Sequence, residues 1–306
     1  MEDTVERILG EMPPVRSAFA YGSGAFHQAG YGKEETPMLD LVLIVEDAEA
    51  FHREADASHY SGLRALGPRV LASVTHAGCG VYYNPYVELG GRAVKYGVVE
   101  ERVLEDDLQN WSTLFLAGRL HKPVAWVGPE HSPHLSSALR SNLDAATDVA
   151  WILLSAQHAT AVDDTKLFET IAGLSYMGDP RFALGAETPG KVANIVSGNM
   201  DGFQTLYTPI LSQSPLFSDQ RNENGEWELL PPPSSRDDRP SVPKGLGVVD
   251  ITPSSVDALA AAVVAGIRGV VGGYGAKVQI AKGVLTAGLF RSVKYGLEKL
   301  AKGRKR

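Results

Sequence analysis

The chain has 306 residues, of which 44% are hydrophobic and 21% are charged, so it is long enough to bury one large or two modest soluble cores. Its single cysteine, Cys79, excludes an internal disulfide bond and a cysteine-rich zinc site. The formal net charge is −7, yet residues 253–306 carry +8 and residues 1–252 carry −15. The acidic body argues against nucleic acid as a partner. The basic tail predicts binding to an anionic surface. Nucleic acid is the alternative partner for the tail charges.

The first 130 residues alternate between strand and helix signals. Gly90 and Gly91 stand between two runs of aromatic and β-branched residues, a pattern typical of a hairpin turn. This alternation predicts a small α/β sheet covered by helices. Strands are predicted at residues 15–20, 39–45, 81–89, 93–99 and 124–127, and a helix at residues 107–120.

A helical pattern follows. Between Leu135 and Leu154 the apolar residues recur at three- and four-residue spacing, which predicts helices. Residues 212–252 are polar and rich in proline, which favours a loop or linker. We therefore divide the chain into an α/β domain at residues 1–130, a mostly helical domain at 131–211, the linker at 212–252 and the basic tail at 253–306.

A glycine-rich turn closes the first predicted strand, in the order Tyr21, Gly22, Ser23 and Gly24, and Asp40 lies on the next strand. Such a turn lets backbone N–H groups approach a triphosphate, and a carboxylate on the neighbouring strand can hold Mg²⁺ against its phosphates. The pattern is typical of nucleotidyltransferases, which move a nucleoside monophosphate onto an acceptor. The alternative is a tight turn beside a charged strand end, with no catalytic role.

The position two residues after Asp40 departs from this pattern. In a strand, Val42 and Ile44 share the face of Asp40, and nucleotidyltransferases usually carry a second acid where this chain has Val42. A metal site would therefore use Asp40 with Ser23 and phosphate oxygens, or would draw a further carboxylate, Glu88, from the predicted hairpin.

Short fragments distributed from residue 19 to about residue 210 strengthen the pattern. They read YNPYV at 83–87, VKYGVV at 94–99, LAGRLHKP at 116–123, YMGDPR at 176–181 and KVANIV at 191–196. Together with YGSG at 21–24 and PMLD at 37–40, they resemble the mitochondrial phosphatidate cytidylyltransferase family, also called translocator assembly and maintenance proteins. Several matches in one order are more specific than any single fragment.

The resemblance implies a nucleotidyltransferase-like α/β domain followed by a helical, winged-helix-like domain. It implies Mg²⁺-dependent synthesis of CDP-diacylglycerol and pyrophosphate from CTP and phosphatidic acid, on the route to cardiolipin. The expected location is the matrix face of the mitochondrial inner membrane, with peripheral attachment. The acidic N-terminus, beginning Met1, Glu2 and Asp3, carries no recognisable transit peptide.

The resemblance also implies roles for individual residues. Gly22, Ser23 and Gly24 would cradle the CTP phosphates, and Asp40 would hold the magnesium ion. Asp179 is expected among the residues that bind CTP and its phosphates, and the alternatives are that it caps the turn before Pro180 or orients Arg181. Phosphate-directed cations are expected at Lys95, Arg119, Lys122, Arg181 and Lys191, with Lys95 and Arg119 at the reacting centre.

Two of these cations have alternative interpretations. Lys95 could extend from its strand to solvent, and Arg119 could sit near a helix C-terminus because of the helix dipole. The expected reaction is in-line attack by a phosphatidate oxygen on the α-phosphorus of CTP. A phosphomonoester with a second pKa of about 6 is largely dianionic at neutral pH, so no general base is required.

The basic tail predicts a membrane-associating helix. On a helical wheel the apolar residues from Leu285 to Leu300 lie opposite Arg291, Lys294, Lys299 and Lys302. The alternative is a C-terminal helix docked on the protein core with its basic face in solvent. We expect no transmembrane span, because Arg268 and Lys277 interrupt the apolar residues before the ~20 that a bilayer requires.

Two other functions compete with the cytidylyltransferase. The first is a soluble nucleotidyltransferase with a different acceptor, such as a sugar, an antibiotic or a tRNA end, and the basic tail argues against it. The second is a membrane-associated assembly factor without enzymatic activity, which Val42 favours, because a degenerate metal site is expected in such a protein.

Overall fold

The computed structural model describes most of the chain in several stretches. The predicted site residue Arg181 lies outside them, as do all of the tail residues beyond 286, and therefore most of the predicted amphipathic helix. The described residues are 2–26, 37–179, 190–231, 240–248, 255–283 and 285–286.

A five-stranded mixed sheet forms the centre of the first part of the chain and confirms the predicted α/β architecture. The strand order is β3-β4-β2-β1-β5, in which β2 and β4 are parallel and the other pairs are antiparallel. The strands are β1 (Ser17–Tyr21), β2 (Leu39–Val45), β3 (Tyr82–Leu89), β4 (Arg92–Glu100) and β5 (Ala125–Val127).

Helices cover both faces of this sheet. In the described residues they are α1 (Glu2–Leu9), α2 (Ala48–Glu54), α3 (Pro68–His76), α4 (Glu101–Asn110), α5 (Ala117–Leu120), α6 (Pro133–Ser155), α7 (Asp164–Gly173), α8 (Lys191–Ser197), α9 (Met200–Leu211) and α10 (Val256–Val271).

The predicted hairpin is confirmed. Strands β3 and β4 pair antiparallel, with Leu89 opposite Arg92. Gly90 and Gly91 between them have φ angles of 56° and 76°, a left-handed backbone that glycine adopts without steric cost.

The alternation of side chains along β2 divides the core in two. Val42 and Ile44 pack with the helices α4 to α10, whereas Leu41 and Leu43 pack on the opposite face with α1 to α3. Asp40 is in register to share the face of Val42, as predicted. The start of β2 therefore directs Asp40 toward the side of the sheet on which the later helices lie.

The predicted helix at residues 107–120 is wrong, because the chain leaves α4 at Asn110 and begins α5 only at Ala117. Trp111 ends α4 with a left-handed backbone, at a φ of 52°. The carboxylate of Asp107 then accepts hydrogen bonds from the backbone N–H groups of Thr113, Leu114, Leu116 and Ala117, at 2.7–3.0 Å. One buried carboxylate thus holds the loop that leads into α5.

The helices that follow share one hydrophobic core with the sheet. Trp111, Trp151, Phe168 and Phe203 are all buried in it together with Phe19 of β1. A two-stranded sheet of β6 (Ala161–Val162) and β7 (Trp227–Glu228) lies at the edge of this helical part.

The first part of the predicted membrane-associating tail packs on the body. Ala260, Val263, Ile267 and Val271 of α10 are buried in the core that α6 also lines. The chain is helical again over residues 274–283, where Lys282 is buried and donates hydrogen bonds to the carbonyls of Thr75 and Ala77, at 3.1 and 2.7 Å. These residues therefore follow the docked alternative.

The expectation that charges exclude a transmembrane span does not hold for this segment. Among the described residues, Val256–Gly283 is long and apolar enough to cross a membrane, by length and composition alone. Its backbone turns at residues 272–273 but is helical at both Arg268 and Lys277, and 22% of its most apolar part is buried inside the protein.

Candidate active site

The glycine turn lies directly beside Asp40. Tyr21, the last residue of β1, is the register partner of Asp40 on β2. Gly22 has a φ of 72°, and a β-carbon added there would lie 3.6 Å from Oδ2 of Asp40. A β-carbon on Gly24 would lie 2.5 Å from the carbonyl oxygen of Met38, closer than atoms tolerate. Gly22 is favoured by its left-handed backbone and Gly24 by the close packing of the turn on the backbone of β2, with Ser23 between them.

Lys95 lies next to Asp40 on the parallel strand β4, as its register partner. Its Nζ is 3.2 Å from Oδ1 of Asp40, and both side chains are partly buried, with exposed fractions of 20% and 26%. The ammonium occupies one carboxylate oxygen and leaves the other toward the Gly22 turn. Lys95 therefore points into the site and does not simply extend to solvent, which was the alternative interpretation.

Tyr21 and Tyr83, which were not among the predicted site residues, lie beside Lys95. The hydroxyl groups of Tyr21 and Tyr83 are 3.4 Å apart, and the Lys95 ammonium lies 4.7 Å from the centre of the Tyr83 ring. Burial raises the pKa of Tyr21, and the neighbouring Tyr83 adds to the increase, so Tyr21 is a neutral hydroxyl. Two features of the sequence could have identified them: Tyr21 directly precedes the glycine turn, and Tyr83 begins the fragment at 83–87.

Arg119 on α5 joins this group from the helical side. Its guanidinium carbon lies 3.9 Å from the centre of the Phe115 ring and 5.4 Å from that of Tyr21, and Nη1 donates to the carbonyl oxygen of Phe115. Its Nε is buried and has no hydrogen-bond partner among the described residues. Arg119 thus lies at the ring of Tyr21, the residue before the turn, and retains an unused donor, which favours a site role over a purely helix-dipole role.

Lys122, which follows α5, is a partly buried cation beside two others. Its Nζ donates to Oγ of Ser175 at 3.0 Å and to the carbonyl of Gly118. Burial lowers its pKa to about 7, and the charges of Arg119 and Lys191 contribute to the decrease. An anion bound beside these cations would restore the protonated form of Lys122.

Tyr176 is in contact with both lysines. The ammonium of Lys122 is 5.2 Å from the centre of its ring, and the ammonium of Lys191 is 5.3 Å from it. Lys191 begins α8, so residues distant in the chain converge on one ring. Such cation–π contacts hold both ammonium groups in a fixed place without neutralising their charge.

A buried polar group fixes the segment that carries Lys122. Oδ1 of Asn142 on α6 lies 2.8 Å from the Trp111 indole nitrogen, which donates to it, and 3.0 Å from Nε2 of His121. Burial lowers the pKa of His121 to about 3, so this imidazole is neutral and structural. Tyr207 donates to the His121 carbonyl at 2.9 Å and holds the same backbone.

Asp179 lies next to the lysine-tyrosine group. It is buried, and its backbone N–H donates to the carbonyl of Tyr176 at 3.2 Å, as expected of a turn residue. Its suggested partner Arg181 lies outside the described residues. The structure thus brings together Gly22, Ser23, Gly24, Asp40, Lys95, Arg119, Lys122, Asp179 and Lys191.

The donors available for a divalent ion are few. No group of three or more His, Cys, Asp or Glu residues suited to a metal occurs in the described part of the chain. Glu88 is in register with Ala93 on β4, one strand farther from Asp40 than Lys95 is. Because Mg²⁺ is commonly held by one or two carboxylates together with substrate phosphates, Oδ2 of Asp40 beside the Gly22 turn fits such an ion. Magnesium itself stays a prediction.

Sequence comparison now adds to this geometry. The sequence model of the family described as mitochondrial phosphatidate cytidylyltransferase matches residues 5–236. The mitochondrial phosphatidate cytidylyltransferase of Rattus norvegicus is 37% identical, and the aligned region covers 97% of this chain and 94% of the rat protein. That of Xenopus laevis is 37% identical over 97% and 93%, and that of Saccharomyces cerevisiae 33% identical over 96% and 68%. This chain belongs to the mitochondrial phosphatidate cytidylyltransferase family.

Proposed function

We propose that this protein transfers CMP from CTP to phosphatidic acid, giving CDP-diacylglycerol and pyrophosphate for phospholipid synthesis, including the route to cardiolipin. One observation carries the proposal within the family. Asp40 lies beside the glycine turn that follows Tyr21, the Arg119 guanidinium lies 5.4 Å from the centre of the Tyr21 ring, and Lys122 is close enough to Arg119 for their charges to interact. Neither of these two makes an ion pair with a carboxylate in the described part of the chain. An anionic ligand would compensate these partly buried charges and keep Lys122 protonated.

The reaction requires placement and charge neutralisation. An oxygen of the phosphatidate phosphate forms a bond to the α-phosphorus of CTP. The bond from that phosphorus to the oxygen bridging to the β-phosphate breaks, and its electron pair leaves with pyrophosphate. The attacking phosphate is largely dianionic at neutral pH and needs no base. Accordingly, the buried His121 is neutral and structural.

The residues of the site divide the work. The Gly22 to Gly24 turn brings backbone N–H groups close to the triphosphate, and Asp40 would hold Mg²⁺, which would neutralise phosphate charge. Lys95 keeps the Asp40 carboxylate in place, and Arg119 would donate to a phosphoryl oxygen the Nε–H that has no partner in the described residues. Each of these groups stabilises charge that shifts between oxygens during the transfer.

We further propose the finer features that the family suggests. The sheet part is nucleotidyltransferase-like, and the helical part is winged-helix-like. The protein acts at the matrix face of the mitochondrial inner membrane and is attached peripherally. The basic residues beyond 286 contact anionic lipids, since each cation near such a surface contributes on the order of 1 kcal/mol.

Turnover with defined acceptors tests this proposal. Purified protein, radiolabelled CTP and Mg²⁺ are incubated with phosphatidic acid in phosphatidylcholine vesicles, and CDP-diacylglycerol is separated and counted. Asp40→Asn is expected to lower the rate by about 10²-fold or more. Asp219→Asn, at an exposed aspartate, is the matched control.

Parallel incubations distinguish the alternatives. Transfer to a sugar phosphate or a tRNA end, without transfer to phosphatidic acid, would support a soluble nucleotidyltransferase with another acceptor. No transfer to any acceptor, with intact liposome binding, would favour the assembly factor. Omission of Mg²⁺ or addition of a chelator is expected to stop the reaction.

A further inference from the structure

The cations of the site form two groups. Lys95 belongs to the sheet and is paired with Asp40 beside the glycine turn. Lys122 and Lys191 belong to the helical part, and both ammonium groups contact the ring of Tyr176. Arg119 is shared, because its guanidinium faces Tyr21 of the first group and its charge acts on Lys122 of the second.

We propose that Lys122, Lys191 and Tyr176 form a separate subsite for the phosphomonoester of the acceptor, while the glycine turn with Asp40 and Lys95 holds the triphosphate of the nucleotide. This inference rests on the proposed function and assigns each of the two anionic substrates to one end of the site. Arg119 lies between the ends, where the phosphoryl group passes from one substrate to the other.

In-line transfer is the first argument. The attacking oxygen and the leaving pyrophosphate lie on opposite sides of the α-phosphorus, so two phosphate-bearing groups need cations at two separated places. A glycine turn with accessible backbone N–H groups suits the longer polyphosphate. The lysine pair around Tyr176 is left for the single phosphate of the acceptor.

The chemistry of Lys122 is the second argument. Two of its three N–H donors are directed at neutral oxygens, those of Ser175 and Gly118, and the structure describes no carboxylate paired with it. Two cations nearby, Arg119 and Lys191, make its charge unfavourable in the absence of a ligand. A phosphate dianion bound beside Lys122 would compensate its charge.

The surroundings of Tyr176 are the third argument. Helix α10 passes close to this turn, because a β-carbon on Gly178 would lie 3.0 Å from Cα of Arg268. Beyond α10 the side chains of Tyr274 and Ile280 are 78% and 50% exposed. A β-carbon on Gly272 would lie 3.0 Å from the Gly178 carbonyl oxygen, so the exposed Tyr274 begins close to this turn. An acceptor that carries apolar chains on its phosphate can therefore place its head at the lysines and a chain toward Tyr274.

Kinetics with a monomeric acceptor test the assignment. Dihexanoyl phosphatidic acid keeps vesicle binding out of the measurement, and CTP affinity is measured separately by calorimetry in the presence of Mg²⁺. For Lys122→Gln and Lys191→Gln we expect the KM for the acceptor to rise at least tenfold and the Kd for CTP to change less than twofold. For Lys95→Gln we expect the Kd for CTP to rise at least tenfold and the KM for the acceptor to change less than twofold. Lys166→Gln, at an exposed lysine of α7, is the control.

Two results would overturn the assignment while leaving the proposed function in place. One is an active wild-type protein in which Lys122→Gln and Lys191→Gln weaken CTP binding tenfold without raising the KM for the acceptor. The other is an equal loss of both affinities in these variants. Tyr176→Leu, which keeps bulk but removes the aromatic ring, is expected to reproduce the acceptor defect in milder form. A wild-type protein that does not use phosphatidic acid would overturn the proposed function itself, and the assignment with it.

Discussion

The Lys95 ammonium and the Asp40 carboxylate face each other across two parallel strands, with Nζ 3.2 Å from Oδ1. This pair lies at the end of the sheet where the glycine turn follows β1. One carboxylate oxygen is held by the lysine, and the other lies beside Gly22. The pair thus leaves Oδ2 as the oxygen with which Asp40 can bind an ion.

Removal of Lys95 tests this pair. We expect Lys95→Met to lower kcat/KM for CTP by about 10²- to 10³-fold, because a cation that stabilises shifting phosphate charge is lost. Thermal unfolding should change less than activity does, since the Asp40 carboxylate that loses its partner still has 26% of its side-chain surface exposed to water. A Tm decrease that accounts for the loss of activity would instead give Lys95 a structural role. Lys166→Met serves as the matched variant.

The same turn permits a prediction with a closely matched control. Gly22 and Gly225 both have positive φ angles, 72° and 80°, so alanine at either position should cost about 1 kcal/mol of stability. Only at Gly22 would the new β-carbon approach Oδ2 of Asp40, at 3.6 Å, whereas at Gly225 it meets open space. We therefore expect Gly22→Ala to reduce turnover at least tenfold and Gly225→Ala to leave it unchanged. Equal activity of the two variants would contradict a role for the turn in binding the substrate.

Much of the fold and part of the site could be predicted from local sequence patterns. The strand at residues 39–45, the hairpin at Gly90 and the turn before Asp40 depend on alternation and on glycine, which are visible in the sequence. The end of α4 depends on the Asp107 carboxylate, which accepts N–H groups up to ten residues away. The periodicity of apolar residues does not reveal such a contact, so the predicted helix extended beyond Asn110 to residue 120.

The aromatic residues of the site were missed for a related reason. Tyr21, Tyr83 and Phe115 come from β1, β3 and the loop before α5, and only the folded sheet and loop bring them around Lys95 and Arg119. Each residue alone reads as an ordinary core aromatic. Their shared place follows from strand order β3-β4-β2-β1, which the sequence does not state.

Lys122 predicts a dependence on pH. Its pKa is lowered from 10.5 to about 7 by burial and by Arg119 and Lys191, and Tyr176 and Ser175 are its other close neighbours. A bound phosphate requires the protonated form, so the KM for phosphatidic acid should rise as the pH increases from 7 to 9. In Lys122→Met this rise should be lost. KM measured across this range in both proteins checks the prediction.

The stability of the ligand-free protein should change in the opposite direction. Between pH 7 and 10.5 the unfolded chain keeps the Lys122 proton, whereas the folded protein releases it. Since the unfolded state binds more protons, Lys122 makes unfolding less favourable as the pH rises through this window. Thermal unfolding of wild type and Lys122→Met at several pH values isolates the effect. A difference between the two Tm values that does not vary with pH would show that Lys122 is protonated throughout.

Two truncations separate the docked part of the tail from the part beyond it. Removal of residues 287–306 deletes seven of the ten Lys and Arg residues of the tail and none of the buried contacts that the structure describes. We expect the Tm and the CTP affinity to stay as in the full chain, while sedimentation with anionic liposomes is lost. High salt should weaken liposome binding of the full chain in the same way, through screening.

Removal of residues 255–306 should behave differently, because it also deletes α10. Val263 and Ile267 are fully buried, and loss of each such side chain typically costs 2–5 kcal/mol. Lys282 would no longer bind the carbonyls of Thr75 and Ala77 at the end of α3. The shorter protein should therefore unfold at a much lower temperature and lose CTP affinity as a consequence. If it instead kept its Tm and bound CTP normally, α10 would be a separable segment, and its apolar face would be available to a membrane.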